Sequence, residues 1–253
     1  MSAPASTAGF ELVEAVYLQR PTGRHAMNLE DLRREIEAAA PEVLFCHTQM
    51  PRLGEPSAED APPDDFSTWV RGVVQDAETA ERLGFAVQTS HGDLDALRGS
   101  LLSALEALPL PVRLRRDAPE GGALTFLSFE SIPVPTGLRA ENPDQLMRAL
   151  ASLGRVAWFH HLIEEAWWHT GQPLVEWLRT RGATRLADLI ERETLSGLAA
   201  SAIRRRVIRR WKQTSLGRRL VEAGALPEDA RREAGRGAVA GLMRRLRERG
   251  GET

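Results

Sequence analysis

One stretch of this chain is written twice. Pro21-Thr22-Gly23-Arg24-His25-Ala26-Met27-Asn28 returns as Pro135-Thr136-Gly137-Leu138-Arg139-Ala140-Glu141-Asn142, an offset of 114 positions (135 − 21). The same offset carries Leu32 onto Leu146, Phe45 onto Phe159 and His47 onto His161 without a gap. After a gap, Phe66-Ser67-Thr68-Trp69-Val70-Arg71 lines up with Leu174-Val175-Glu176-Trp177-Leu178-Arg179. Matches that share one register signal duplication. The expected organisation of the 253 residues is a disordered leader over 1–9, a first repeat domain over 10–108, a linker over 109–123, a second repeat domain over 124–213 and a basic helical tail over 214–253. Units of roughly 100 residues are small, so the pair is expected to share a core.

Hydrophobic spacing makes the units mainly α. Asn28 reads as a helix N-cap, because Leu29-Glu30-Asp31-Leu32 puts acidic residues in the first turn and apolar ones at helical spacing. Asn142 stands in the equivalent place, with Pro143 at the first helical position that proline prefers. Pro41 starts a second helix, Asp64 or Asp65 caps a third through Trp69 and Val73, and Ala80 to Phe85 suggest a fourth. Asp93 opens a fifth with Leu94, Leu97, Leu101, Leu105 and Leu108 as a buried seam. In the second unit Arg155 to Thr170 reads as one helix with Trp158, Phe159, Leu162 and Ile163 on its apolar stripe. Before each repeated motif, Phe10 to Leu18 and Leu124 to Ile132 read as short strands or extended arms, and Pro-Thr-Gly reads as a turn. The expected fold is two tandem duplicated helical domains related by pseudo-twofold symmetry, with short extended arms before each and a basic C-terminal helical tail.

Three clusters are candidates for chemistry. His47, His160, His161, Glu165 and His169 could hold a divalent metal or another ligand, since His161, Glu165 and His169 recur at i, i+4, i+8. A boundary ion pair explains the same spacing. If the units pack about a twofold axis, His47 and His161 could face each other across it. Thr22, Gly23 and Arg24 with Thr136, Gly137 and Arg139 suit an anion-binding loop at a helix N-terminus, or a turn plus a cap. In the final helix, Arg204, Arg205, Arg209, Arg210 and Lys212 crowd around an apolar face of Ile203, Val207, Ile208 and Trp211. Such a helix packs on the acidic body, docks on a protein partner, holds nucleic acid phosphates or lies on an anionic membrane.

Charge bears on that last choice. The formal net charge is −2, yet Leu195 to Thr253 carries 15 basic and 6 acidic residues, net +9, which leaves the rest of the chain at −11. Lys212 is the only lysine, so Schiff-base and P-loop chemistry have almost no residue to use. Cys46 is the only cysteine, which excludes an internal disulfide and a multi-cysteine metal site. The start has neither a basic nor an apolar signal region, and no apolar run is long enough to cross a bilayer, so a cytoplasmic location is expected. No nucleophile, base and oxyanion arrangement stands out, so no catalytic residue is named.

Thr22-Gly23, Ala26, Asn28, Leu32, Leu44-Phe45-Cys46-His47-Thr48, Pro63-Asp64-Asp65-Phe66 and Trp69-Val70 resemble a family of small bacterial and archaeal domains of unknown function, number 5752. Thr136-Gly137, Ala140, Asn142, Leu146, Trp158-Phe159-His160-His161 and Trp177-Leu178 resemble it again, so the likeness covers most of residues 10 to 213. The resemblance implies further histidines soon after His47, where this chain has Gln49-Met50-Pro51-Arg52. It also implies a regulatory or accessory role beside sugar-metabolising glycosyltransferases. The expectation is a non-enzymatic binding or regulatory module whose tail docks on a protein partner or on a second copy. A histidine-lined metal or small-anion site between the repeats and nucleic-acid binding through the tail are the alternatives.

Overall fold

A computed structural model describes residues 9–54, 63–90, 92–168 and 172–224, with side chains to residue 214. The protein is mainly helical, with a small two-stranded sheet. It divides into two compact units, Met1–Val207 and Ile208–Thr253. No helix among the described residues is long and apolar enough to cross a membrane.

The sheet is the spine of the first unit. Strand β1 (Phe10–Ala26) and strand β2 (Leu124–Ala140) pair antiparallel along their whole length. The expected short arms are therefore two 17-residue strands that complete each other. Tyr17 pairs with Ser131, two positions that the repeat offset also relates. Leu12 and Ala15 of β1, with Phe126 and Phe129 of β2, are buried on the inner face.

Pro-Thr-Gly is not a chain-reversing turn but an irregularity inside each strand. Leu12 pairs with Leu138 and Val13 with Pro135, so Thr136 and Gly137 are skipped; the ladder shifts again between Pro21 and His25. Proline cannot donate to a ladder, which favours a break there. Gly23 (φ 77°) and Gly137 (φ 73°) take the left-handed backbone that the break requires.

Helices follow each strand in parallel order. After β1 come α1 (Leu29–Ala38), α2 (Pro41–Thr48), a 3-10 turn (Met50–Leu53), α3 (Asp65–Trp69), α4 (Ala77–Thr89), α5 (Leu94–Glu106) and the short α6 (Leu110–Arg113). After β2 come α7 (Pro143–Ser152), α8 (Arg155–Phe159), α9 (Glu165–Trp168), α10 (Pro173–Thr180), α11 (Thr184–Thr194) and α12 (Ala200–Gly224). The caps are those the sequence marks: the side chains of Asn28, Asn142, Asp64 and Asp93 accept backbone N–H groups at the starts of α1, α7, α3 and α5.

Between α8 and α9 the helix widens into a π turn over His160–Glu164, and α3 runs into another over Val70–Val74. The continuous helix expected from Arg155 to Thr170 is helical as far as Trp168; Thr170 lies outside the described residues, as do residues 1–8 of the expected leader and residues 225–253 of the expected tail. A later helix of each half, α5 in the first and α12 in the second, holds the end of its first helix. Arg98 of α5 donates to Ile36 O and Ala39 O, both at 2.7 Å, and Arg204 of α12 donates to Ala151 O at 2.9 Å. Each guanidinium thereby satisfies carbonyls that a helix C-terminus leaves open.

Candidate functional site

The ladder break orphans backbone groups, and the repeated histidines take them up. His161 Nε2 accepts the Val13 N–H at 3.0 Å, and His47 Nε2 accepts the Leu127 N–H at 2.9 Å. The neighbouring carbonyls are served by the repeated threonines: Thr136 Oγ1 donates to Leu12 O at 2.6 Å and Thr22 Oγ1 to Phe126 O at 2.8 Å. Every donor and acceptor in one set has its counterpart 114 positions away in the other. The two histidines thus do not meet as a pair; each reaches into the opposite strand.

Accepting at Nε2 fixes the neutral tautomer, with the proton on Nδ1. His47 Nδ1 faces Asp65 Oδ2 at 2.9 Å and His161 Nδ1 faces Glu165 Oε2 at 3.3 Å. Both rings are 2% exposed, so the backbone N–H groups they hold have little water to turn to.

A buried polar chain runs on from His161. His160 Nδ1 donates to Glu164 Oε2 at 2.8 Å, and the Tyr17 hydroxyl donates to the same oxygen at 2.6 Å. Burial pushes the Glu164 carboxyl upward, but the hydrogen bonds from His160 and Tyr17 outweigh it and hold the group below the usual carboxylate range. Burial and then the Glu164 charge push the Tyr17 phenol well above its ordinary value. Cys46 is buried beside Gln19, and its thiol is pushed up to about 11 by burial, so it is a poor nucleophile.

The metal reading meets this geometry directly. His160, His161 and Glu165 each offer a ligand atom, all within 4.8 Å of one another. Both His161 nitrogens are already engaged, however, which leaves His160 Nε2 and Glu165, short of the three or four ligands of a transition-metal site. His47 bonds elsewhere, and His169 lies outside the described residues. The anion-loop arginines are likewise spent: Arg24 pairs with Glu35, and Arg139 with Glu141 at 3.0 Å.

In the basic helix, Arg204 is directed to Ala151 O, while Arg205 and Trp211 have partners of their own. Arg209, Arg210 and Lys212 are exposed.

What the sequence did not single out is a cleft of about 1090 Å³ in the first unit. Its walls come from both halves: Gln49, Arg52, Asp64 and Gln88 from the first, Trp167, Gln172, Glu191 and Thr194 from the second. Arg52 crosses between them, donating from Nη2 to Thr194 O at 2.8 Å and from Nε to Leu198 O at 3.0 Å. Burial alone lowers its pKa to about 10, so the guanidinium remains charged at neutral pH. Nothing in the local sequence marks Arg52, because its acceptors lie more than 140 positions away. Tyr17 carried a weak signal as the chain's only tyrosine, on the inner face of a strand.

Fold and site together define a mainly helical protein built on a two-stranded ribbon, with a cleft walled by both halves and buried imidazoles that support the backbone. The chain belongs to the family of unknown function DUF5752, which it matches over residues 7–212. Among solved structures it is similar to OrfY from Thermoproteus tenax, at 25% identity and a TM-score of 0.66, covering 80% of this chain and 95% of that one. No curated protein matches the chain.

Proposed function

We propose that the chain is an internal duplication, the two halves of its first unit paired about a pseudo-twofold axis, and that it serves as a non-enzymatic binding or regulatory module with a small-molecule site in the cleft between those halves. The observation that carries this reading is the cleft itself, of about 1090 Å³, walled by both halves and carrying amide, hydroxyl, carboxylate and guanidinium groups among apolar side chains. That volume is on the scale of sites for metabolite-sized molecules. The imidazoles support the reading too: His47 and His161 hold orphaned N–H groups of the opposite strand and have no lone pair left for proton transfer to a substrate.

Native and denaturing mass spectra of the purified full chain test the proposal. A mass excess in the native spectrum that denaturation removes is the expected result. No excess, together with no thermal stabilisation by any member of a metabolite panel, overturns it.

A second element of the proposal is that the exposed Arg209, Arg210 and Lys212 form part of a basic surface docking on an acidic protein partner. Reversing all three to glutamate should abolish capture of that partner and leave the melting temperature unchanged. Capture that persists in the reversed variant overturns the docking role.

A further inference from the structure

Arg52 stands in the 3-10 turn after α2 and is 7% exposed. A guanidinium has five N–H donors. Three are used by neutral acceptors: Nε by Leu198 O at 3.0 Å, Nη1 by Gln49 Oε1 at 3.0 Å and Nη2 by Thr194 O at 2.8 Å. Among the described residues, one N–H on each terminal nitrogen has no protein acceptor and no carboxylate forms an ion pair with Arg52.

The charge is therefore only partly answered. Thr194 O lies at the C-terminus of α11, and a helix end supplies roughly half an elementary negative charge. Three of the other charged groups on the cleft wall, Arg71, Glu81 and Glu191, stand in ion pairs of their own. Arg71 pairs with Glu81 at 3.7 Å and Glu191 with Arg179 at 2.6 Å. Asp64 takes the Ser67 N–H at 2.8 Å and the Ser67 hydroxyl at 2.6 Å. A buried cation without a counter-charge is unfavourable, and an anion placed against it removes the imbalance. The same wall holds an acceptor without a donor, since Gln172 Oε1 is buried and unbonded.

We propose that the cleft takes a small organic anion whose phosphate or carboxylate group accepts the two free N–H groups of Arg52, and whose hydroxyl or amine donates to Gln172 Oε1. This inference rests on reading the cleft as a small-molecule site and names the class of molecule it takes.

The test is calorimetry and thermal shift on the full chain with inorganic phosphate, glycerol 3-phosphate, glycerate and glycerol, at matched ionic strength. Glycerol 3-phosphate or glycerate should bind at least about tenfold more tightly than glycerol, and which of the two prevails identifies the anionic group. Arg52→Lys keeps the charge but loses the planar fork, so it should weaken binding at least about tenfold.

Arg52 also ties the halves together, so an independent variant is needed. Gln88→Trp places a large ring on the cleft wall from an exposed position and should abolish binding while melting like the parent protein. Failure of all three anions to bind the parent protein, or anion binding undiminished in Gln88→Trp, overturns the proposal. A neutral compound released from the native chain and excluded by Gln88→Trp would preserve the small-molecule reading and overturn the anion.

Discussion

Val13 N–H and Leu127 N–H have one acceptor each, and in both cases it is an imidazole nitrogen. His161→Phe keeps the ring and deletes that acceptor, so it should destabilise the fold by about 1–3 kcal/mol, read from urea melts. His161→Gln, which can still accept, should recover part of the loss. Tyr17 gives a pH prediction of definite sign. The unfolded phenol loses its proton near pH 10, whereas the folded one retains it to a higher value. Above about pH 10 the unfolded state binds fewer protons, so stability, fully present below that pH, falls as pH rises, by up to about 1.4 kcal/mol per unit. Tyr17 is the only tyrosine, so phenolate absorbance follows it alone, and Tyr17→Phe should flatten this dependence. Residue identity made the repeated histidines legible as candidates, but their role was not. Nothing local says that His161 meets Val13, because the contact spans 148 positions.

The elements were read best where their signals lie within a few residues. Asn28 and Asn142 each accept the N–H three residues on, at 2.9 and 3.0 Å, and cap scanning finds such residues without knowing the tertiary fold. They differ in one respect: the Asn28 amide also donates to Asp117 at 2.8 Å. Asn142→Ala should cost about 1 kcal/mol and Asn28→Ala about 1 kcal/mol more, measured as a difference in denaturation midpoints. The leucine seam of α5 was equally legible, with Leu97, Leu101 and Leu105 fully buried. The strands were legible only as extended stretches. Their length and their irregular register depend on a partner roughly a hundred residues away, and so does the conversion of Pro-Thr-Gly from a turn into a bulge. The π turn over His160–Glu164 left no pattern in the sequence, because the helical repeat changes over a single turn.

Across the whole first unit, each half completes the other. Among the described residues the strands pair only with each other, each repeated histidine satisfies the opposite strand, and Phe45 meets Phe159 edge-on with ring centroids 6.1 Å apart. Residues 9–122 expressed alone should therefore lack cooperative unfolding. Mixed with residues 123–224 they should regain it, together with the helical circular dichroism of the intact chain; a first half that melts cooperatively by itself would show that the halves are independent. The sequence by itself determined the caps and the apolar faces of the helices, because each depends on residues close enough along the chain to act on one another locally. Tertiary structure alone decided what His47, His161, Thr22 and Thr136 are for, that Arg52 closes on the far half, and that a cleft opens beside it. Those features are made of groups brought together over long separations, where neither spacing nor propensity carries information.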